Sequence, residues 1–389
     1  MGSWLYSRPA LVCLAATAVC GALGWSGHAF LLPFVFVFPL AFVAQRNRQS
    51  AYGVALTYYA ASSWPVVPAI VSFFGPHSNR WLGVSFWLVA ASLLAVPWGI
   101  CYFSGWPARY ASVGAALAMT TLPPIGLISW ASPLTSAGLL FPGFGWFGIV
   151  AIALLPALIV RRPAVGVIAT IGLIATAHAI APREAHRATW TTIDTTLGRQ
   201  FDRIDPVREF QAATLIQKLA LASGARVIIF PETAIPHWNE AVELFWEPLF
   251  KALAGRGQTI LMGTTIRAPG SRGRLNGVLI RGSDKSAFFI QSVPVPFSMW
   301  RPFDDSGFPL RITGPGTVAI AGERAGILIC YEMLLAWPVL RLSAEHPTIL
   351  VGVANDYWAR ETPVPAVQQM CISAWARLFS VPWLLARNT

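Results

Sequence analysis

No aspartate or glutamate occurs between Met1 and Pro182; all 17 acidic residues of the 389-residue chain follow. A water-facing domain of that size ordinarily carries about a quarter of its residues as charges of both signs. A stretch with no carboxylate, in a chain that is 55% hydrophobic, therefore turns its surface toward something other than water. The formal net charge of +11 divides into +7 on this stretch, from Arg8, Arg46, Arg48, Arg80, Arg109, Arg161 and Arg162, and +4 on the remainder. Arginines scattered singly between apolar runs carry topological information and do not form a nucleic-acid patch.

Apolar runs near 10–26, 28–45, 51–74, 81–103, 110–130, 138–160 and 163–181 are expected as about seven spans of a polytopic α-helical membrane domain, residues 1–182, since roughly 20 residues cross a bilayer. With the N-terminus inside, the inner loops hold Arg8, Arg46, Arg48, Arg109, Arg161 and Arg162, and the outer loops hold only Arg80. Seven spans then place the second half outside, which in a double-membrane bacterium is the periplasmic face of the inner membrane. A cleaved signal peptide is excluded because further spans follow without a small-residue cleavage site. Trp81, Trp87, Trp98 and Trp106 suit anchoring at the interface. The Pro- and Gly-rich runs Leu122–Gly126 and Phe141–Trp146 interrupt two spans, either as a kinked helix pair or as a lipid-access groove.

Beyond about residue 183 the pattern alternates between strand and helix. Strands are expected at Thr189–Thr196, Val227–Phe230, Thr259–Arg267, Asn276–Arg281, Phe288–Val293, Val318–Ile320, Ala325–Cys330, Thr348–Ala354 and Trp383–Ala386. Helices are expected at Pro206–Ser223, Asn239–Leu253, Leu334–Ala344 and Ala366–Phe379. Strands outnumber helices and arrive in pairs, so the second half reads as a two-layer sheet core with helices outside.

Two of these strands end in chemistry. Gly326-Ile327-Leu328-Ile329 delivers Cys330, Tyr331 and Glu332 to its carboxyl end; Val227-Ile228-Ile229-Phe230-Pro231 delivers Glu232. A carboxylate beside a thiol can act as its general base and generate the thiolate, the nucleophilic form of cysteine. Apolar strands seldom end in a buried carboxylate without a partner, which favours a site over a simple helix cap for Glu232. Cys330 alone would be an inert buried thiol, and Glu332 either lines the site or pairs with an arginine. Asn355-Asp356 is expected to shape a turn beside the pocket. Cys13, Cys20 and Cys101 lie in apolar spans as small hydrophobes, and the spacing of Cys330 and Cys371 demands neither a bridge nor a metal. No zinc or Ser-His-Asp pattern emerges, and no cofactor is expected.

At Phe230-Pro231-Glu232-Thr233-Ala234, Leu328-Ile329-Cys330-Tyr331-Glu332 and Asn355-Asp356-x-Trp358, the chain resembles the nitrilase (carbon-nitrogen hydrolase) superfamily. With a polytopic membrane half in front, it looks most like the apolipoprotein N-acyltransferases. The resemblance implies an α/β nitrilase-like αββα sandwich over 183–389 and a Glu-Lys-Cys triad. Glu232 would be the base and Cys330 the nucleophile that forms a thioester, with Tyr331 and Glu332 lining the site. It implies membrane phospholipid as acyl donor and a lipoprotein as acceptor.

The departures are specific. The triad lysine falls on Gln291, counting back from Val295-Pro296-Phe297, and the acyltransferases' further essential glutamate falls on Met299. Lys218, Lys251 and Lys285 are the chain's three lysines, and none stands in without a register shift that would reverse a strand's faces. Gln291 could still donate to an oxyanion, without charge. Arg301 and Arg311 are the sequence-near alternatives for the missing cation. The chain stops at Thr389, before the membrane span that follows the catalytic domain in the acyltransferases. Seven spans, no terminal span and an altered triad are similar to the branch of the superfamily serving plasmid conjugal transfer. That resemblance implies either amide-acyl chemistry at the membrane or a non-catalytic fold that binds a lipid or a protein of a conjugation machine.

Overall fold

The computed structural model describes residues 8–74, 79–181, 188–198 and 206–389; the domain boundary expected at 182/183 lies outside these. The chain forms two compact units. One comprises Met1–Glu184, Leu334–Trp337 and Glu361–Ser380, and the other Ala185–Met333, Pro338–Arg360 and Val381–Thr389.

The first unit is helical: α1 (Arg8–Gly24), α2 (Val37–Val43), α3 (Arg48–Ser63), α4 (Val66–Phe74), α5 (Arg80–Ile100), α6 (Ala108–Thr121), α7 (Ala137–Leu140), α8 (Trp146–Arg161) and α9 (Pro163–Ile180). Asn47 starts α3 with a capping box, its side chain accepting from the Ser50 N–H at 2.9 Å. α3 then packs on both α1 and α5. Among the described residues, Arg80–Ile100 and Pro163–Ile180 are long and apolar enough to cross a membrane, and Arg48–Ser63 with Val66–Phe73 makes a third candidate bent by 45°. Among the described residues, the spans expected from the sequence, about seven, do not all appear as continuous helices of spanning length. Run 28–45 opens as a 3-10 helix over Ala29–Phe36 containing Pro33, and run 51–74 breaks at Trp64-Pro65. Run 110–130 loses its helix before Pro123-Pro124, and run 138–160 is interrupted by Gly143 and Gly145, both at positive φ. Proline removes a backbone donor and glycine gives up helical preference, so apolar length alone overstated helix length.

The core of this unit is aromatic. Phe38 stacks on Tyr58 with centroids 4.1 Å apart, and Trp98 leans on Phe38. Trp98 is fully buried and donates to the Tyr59 hydroxyl at 3.1 Å, so it is a core residue and not an interfacial anchor, whereas Trp81 is exposed. The unit's outer surface remains apolar, with Phe147, Ile168 and Ile171 largely exposed.

A last helix, α13 (Val364–Phe379), groups with this unit although the sequence places it among the sandwich elements. The reason is backbone contact. The Gly143 and Gly145 N–H groups donate to the Arg377 and Leu378 carbonyls at 2.9 and 2.8 Å, capping the end of α13.

The second unit holds two sheets. The first runs β1 (Trp190–Thr192), β2 (Val227–Ile229), β4 (Thr259–Arg267), β5 (Arg274–Gly282), β6 (Ala287–Ile290), with β3 (Ile235–His237) also on β4. The second runs β10 (Trp383–Asn388), β9 (Ile349–Asn355), β8 (Glu323–Ile329), β7 (Thr317–Ile320). Within each sheet the strands that deliver site residues, β2 and β8, have parallel neighbours, so their carboxyl ends gather at one edge. Alternate residues explain the layers. Val227, Ile229, Leu261, Val278 and Ile280 meet Ile327, Ile329, Val351 and Val353 between the sheets. Ile228, Phe230, Ile260 and Met262 point the other way, against α10 (Pro206–Ala222) and α11 (Glu240–Gly255). Burial on both faces is why these strands read as continuous apolar runs. On the second sheet, Leu342 of α12 (Ala336–Ala344) lies against Gly326 and Leu350. The helix–sheet–sheet–helix order is thus present within this unit.

Candidate active site at the strand tips

Cys330 follows β8 immediately, at φ +50° and entering a 3-10 turn over Cys330–Leu334. A non-glycine residue in the left-handed region is strained by roughly 1–2 kcal/mol, and such strain persists only where surrounding structure fixes it. Thr233 does the same after β2, at φ +54°. Both strands therefore turn sharply at the point where they present a functional side chain. Gly263 on β4 makes room for the first turn: a Cβ there would sit 2.3 Å from Glu232 Cα and 2.4 Å from the Pro231 carbonyl oxygen.

The two side chains expected as base and nucleophile meet. Glu232, 5% exposed, accepts from the Asn276 side-chain amide at 2.7 Å, from the Asn355 backbone N–H at 3.1 Å and from the Cys330 thiol. Burial pushes its carboxyl above the ordinary range, and those three donors pull it back. The Cys330 thiol is raised well above its ordinary value, first by burial and then by the charges of Glu232 and Asp356. A thiol in this state is a proton donor to Glu232 at rest and becomes a thiolate only as the proton moves.

Gln291 lies in the same network. Its Oε1 accepts from Asn276 at 3.0 Å and its Nε2 donates at 3.1 Å to the carbonyl of Ile329, the residue before Cys330. The Asn276 amide thus spends one hydrogen on Glu232 and the other on Gln291, tying the base to the position where the resemblance implies a lysine. Lys251 pairs with Glu247 on the outer face of α11, and Lys218 and Lys285 are exposed. Arg301 is exposed and pairs with Asp304, while the Arg311 backbone N–H donates to the Ser292 carbonyl. Neither arginine donates to Glu232 or Gln291 among the described bonds. Met299 is half-buried in the loop after β6, its N–H on the Val295 carbonyl.

Tyr331 is buried, which raises its phenol. Glu332 accepts from the backbone N–H groups of Ser292 (2.7 Å), Val293 (2.9 Å) and Ile329 (2.9 Å). It clamps the loop after β6 to the tip of β8. Burial pushes it up to about 7 against those three donors and the nearby Arg341. Arg341 itself holds the Ser292 hydroxyl at 2.7 Å.

Asn276 and Asn388 escaped the sequence reading as site residues, and Asn355, expected only to shape a turn beside the pocket, holds the network directly. Asn276 sits in an apolar strand, and a buried amide there was the available signal. Asn355 holds Glu232 through its backbone and Thr233 through its side chain. Its Oδ1 accepts from Asn388 at 2.8 Å, and Asn388 accepts in turn from Thr195 (3.0 Å) and the Leu197 N–H (2.8 Å). Nothing local in Asn388, one residue from the end of the sequence, marks it as part of this chain of bonds. Among the described residues no group of three or more His, Cys, Asp or Glu side chains gathers to hold a metal ion.

Two face-to-face sheets that bring a buried glutamate onto a cysteine at adjoining strand tips define a site of the nitrilase type. Two relatives match nearly the whole length: a "Probable conjugal transfer protein TraB" of Sinorhizobium fredii at 31% identity, over 98% of each chain, and a conjugal transfer protein TraB of Agrobacterium fabrum at 31%, over 98% of this chain and 93% of that one. The chain belongs to the TraB family of conjugal transfer proteins. An apolipoprotein N-acyltransferase of Pseudomonas syringae is 29% identical over 41% of this chain and 34% of its own. A variant of an amidase of the nitrilase superfamily from Nesterenkonia AN1 covers 54% of this chain and 79% of its own at 15% identity, with a TM-score of 0.38. No family model matches the chain.

Proposed function

We propose that this protein is a membrane-held acyl- or amide-transforming enzyme of the nitrilase type, working in plasmid conjugal transfer, with Cys330 as nucleophile and Glu232 as general base. The hydrogen bond between the Glu232 carboxylate and the Cys330 thiol, where β2 and β8 each end in a sharp backbone turn, carries the reading. Glu232 takes the thiol proton as Sγ attacks an acyl carbonyl. The tetrahedral intermediate collapses to a Cys330 thioester, and Glu232 returns the proton to the leaving group. An amine or water then attacks the thioester with Glu232 again as base, and the thiol is restored. Membrane phospholipid is the acyl donor and a lipoprotein, or a protein of the conjugation machine, the acceptor. The names of the relatives support this setting.

The exposed apolar residues of the helical unit support placing it in the inner membrane. The arginine distribution supports about seven membrane passages with the sandwich on the periplasmic side; the shorter apolar helices Ala10–Gly24, Ala29–Val43 and Trp146–Arg161 would serve as partial or tilted passages.

The test is covalent labelling of Cys330 in membranes with a lipid-like acyl probe. An adduct present in the parent and absent in Cys330→Ala and Glu232→Gln is expected; equal labelling in Glu232→Gln would remove the base. A second reading rests on Gln291, which offers no charge to an oxyanion. In it the site binds a lipid or acylated partner without turnover. Gln291→Lys separates the two, since a gain in acyl labelling marks a catalytic site in which charge was limiting, and conjugation that survives Cys330→Ala marks a binding role.

A further inference from the structure

Asp356 is fully buried, yet neither of its carboxyl oxygens has a hydrogen-bond donor among the described residues. It sits one residue past the end of β9, before a 3-10 turn over Tyr357–Ala359. An aspartate in that position ordinarily caps the turn by accepting from its backbone N–H groups. Here no side-chain cap bond forms; the turn is closed by the Asp356 carbonyl, which accepts from Ala359, while the Asp356 N–H donates to the Asn388 carbonyl at 2.8 Å. The backbone shapes the turn, so the side chain is left over from that task.

Its surroundings say what the side chain does. The groups whose charge acts on it are Glu232 at the tip of β2, Cys330 at the tip of β8, Arg387 on β10 and Asp194 beyond β1. Two buried carboxyls in each other's field do not both ionise, and the proton goes to the one with fewer donors. Glu232 has the Asn276 amide, the Asn355 N–H and the Cys330 thiol; Asp356 has none. We infer that Asp356 is the second acid of this site, a positioning residue that holds the proton so that the negative charge rests on Glu232, where a base is needed. The inference rests on the reading of Glu232 as base and deepens it. Burial, then Glu232 and Asp194, push the Asp356 carboxyl up to about 7 against the pull of Arg387, which agrees with this assignment. Once Asp356 ionises, a second anion stands beside the thiol and opposes formation of the thiolate. Asp356 thereby sets the upper pH limit of the site.

Infrared spectroscopy of the purified full-length protein at about pH 6 reads the proton directly, through the C=O stretch of buried protonated carboxyls, with carbon-13 aspartate incorporated to move aspartate bands. The expected result is an isotope-shifted aspartate band that remains in Glu232→Gln, is lost in Asp356→Asn, and fades in the parent as pH rises past about 7. Alkylation of Cys330 by iodoacetamide should reach half-maximal rate about one pH unit lower in Asp356→Asn than in the parent. No isotope-sensitive band in the parent, or an alkylation profile unmoved in Asp356→Asn, overturns the inference, and the first of these needs no variant to fold. Failure of the acyl probe to label Cys330 would instead strike at the enzymatic reading alone, because neither measurement here requires acyl transfer.

Discussion

The helical unit and the sandwich bury different kinds of polar group. In the helical unit many buried donors and acceptors are hydroxyls and indoles paired close by: Trp25 donates to the Tyr58 hydroxyl at 2.8 Å, which donates to the Ala131 carbonyl at 3.0 Å, and Thr120 returns its hydroxyl to the Ala116 carbonyl at 2.8 Å, while the Thr121 and Ser129 hydroxyls are buried without a partner among the described residues. In the sandwich the buried groups at the strand tips include three carboxyls, Glu232, Glu332 and Asp356, each at most 5% exposed. A neutral hydroxyl costs little once it has one partner, whereas a buried carboxylate needs several donors or a proton. The lesson is that the carboxyls mark the proposed site, and that they differ in the number of donors each receives. Glu332, with three backbone N–H groups, is a clamp; Glu232, with two amides and a thiol, is the proposed base; Asp356, with none, is the carboxyl inferred to hold a proton.

The largest effect that tests this contrast is on Cys330 itself. Cys330→Ala should abolish acyl-probe labelling altogether, and Glu232→Gln should lower its rate by about 100-fold or more, the range for loss of a general base. Labelling that survives Glu232→Gln would put Glu232 among the structural carboxyls with Glu332. Next is Gly263→Ala, whose new Cβ meets Glu232 Cα and the Pro231 carbonyl. It should cost about 3 kcal/mol in chemical denaturation of the sandwich and also lose Cys330 labelling, because the base is displaced. Retained labelling at wild-type stability would show that the Glu232 turn is not held against β4.

Glu332→Gln should cost about 2 kcal/mol, since an amide N–H₂ then faces a backbone N–H it cannot pair with. It should also flatten a pH dependence. A carboxyl raised from 4.5 to about 7 keeps its proton in the folded state through that window while the unfolded chain loses it. Folding stability therefore falls as pH rises from 4.5 to about 7, by at most about 1.4 kcal/mol per unit, and denaturation midpoints across that range read it. The smallest effect belongs to the helical unit. Tyr58→Phe should cost about 1 kcal/mol in thermal denaturation in detergent, with no change in the pH profile of Cys330, because nothing titratable is removed from the site. A shifted profile in Tyr58→Phe would break the separation between the two kinds of buried polarity.

Much of this was legible in the residues. The strands carrying Glu232 and Cys330 announce themselves as apolar runs, because residues facing both the partner sheet and the outer helices leave no polar alternation to blur them. Most other sandwich elements lie within a few residues of their expected bounds. β3 was not expected, being three residues long and set by its pairing to β4. The helical half was less legible. Apolar composition reports an environment, while helix length depends on where proline and glycine interrupt the hydrogen-bond ladder, and four of the seven runs became shorter or bent pieces.

Sequence alone determined that the chain has an acid-free apolar half and a strand-rich half, and that one glutamate and one cysteine end its most apolar strands. It also put Gln291 where the resemblance implies a lysine. These are local properties, carried by single residues and short runs. Only the tertiary structure decided that Asn276 bridges Glu232 to Gln291, that Asn388 reaches back through Asn355 to the base, and that α13 groups with the helical unit. Each of those joins residues far apart in the chain, and hydrogen bonds of that kind exist only once the sheets have closed and excluded the water that would otherwise satisfy the same groups.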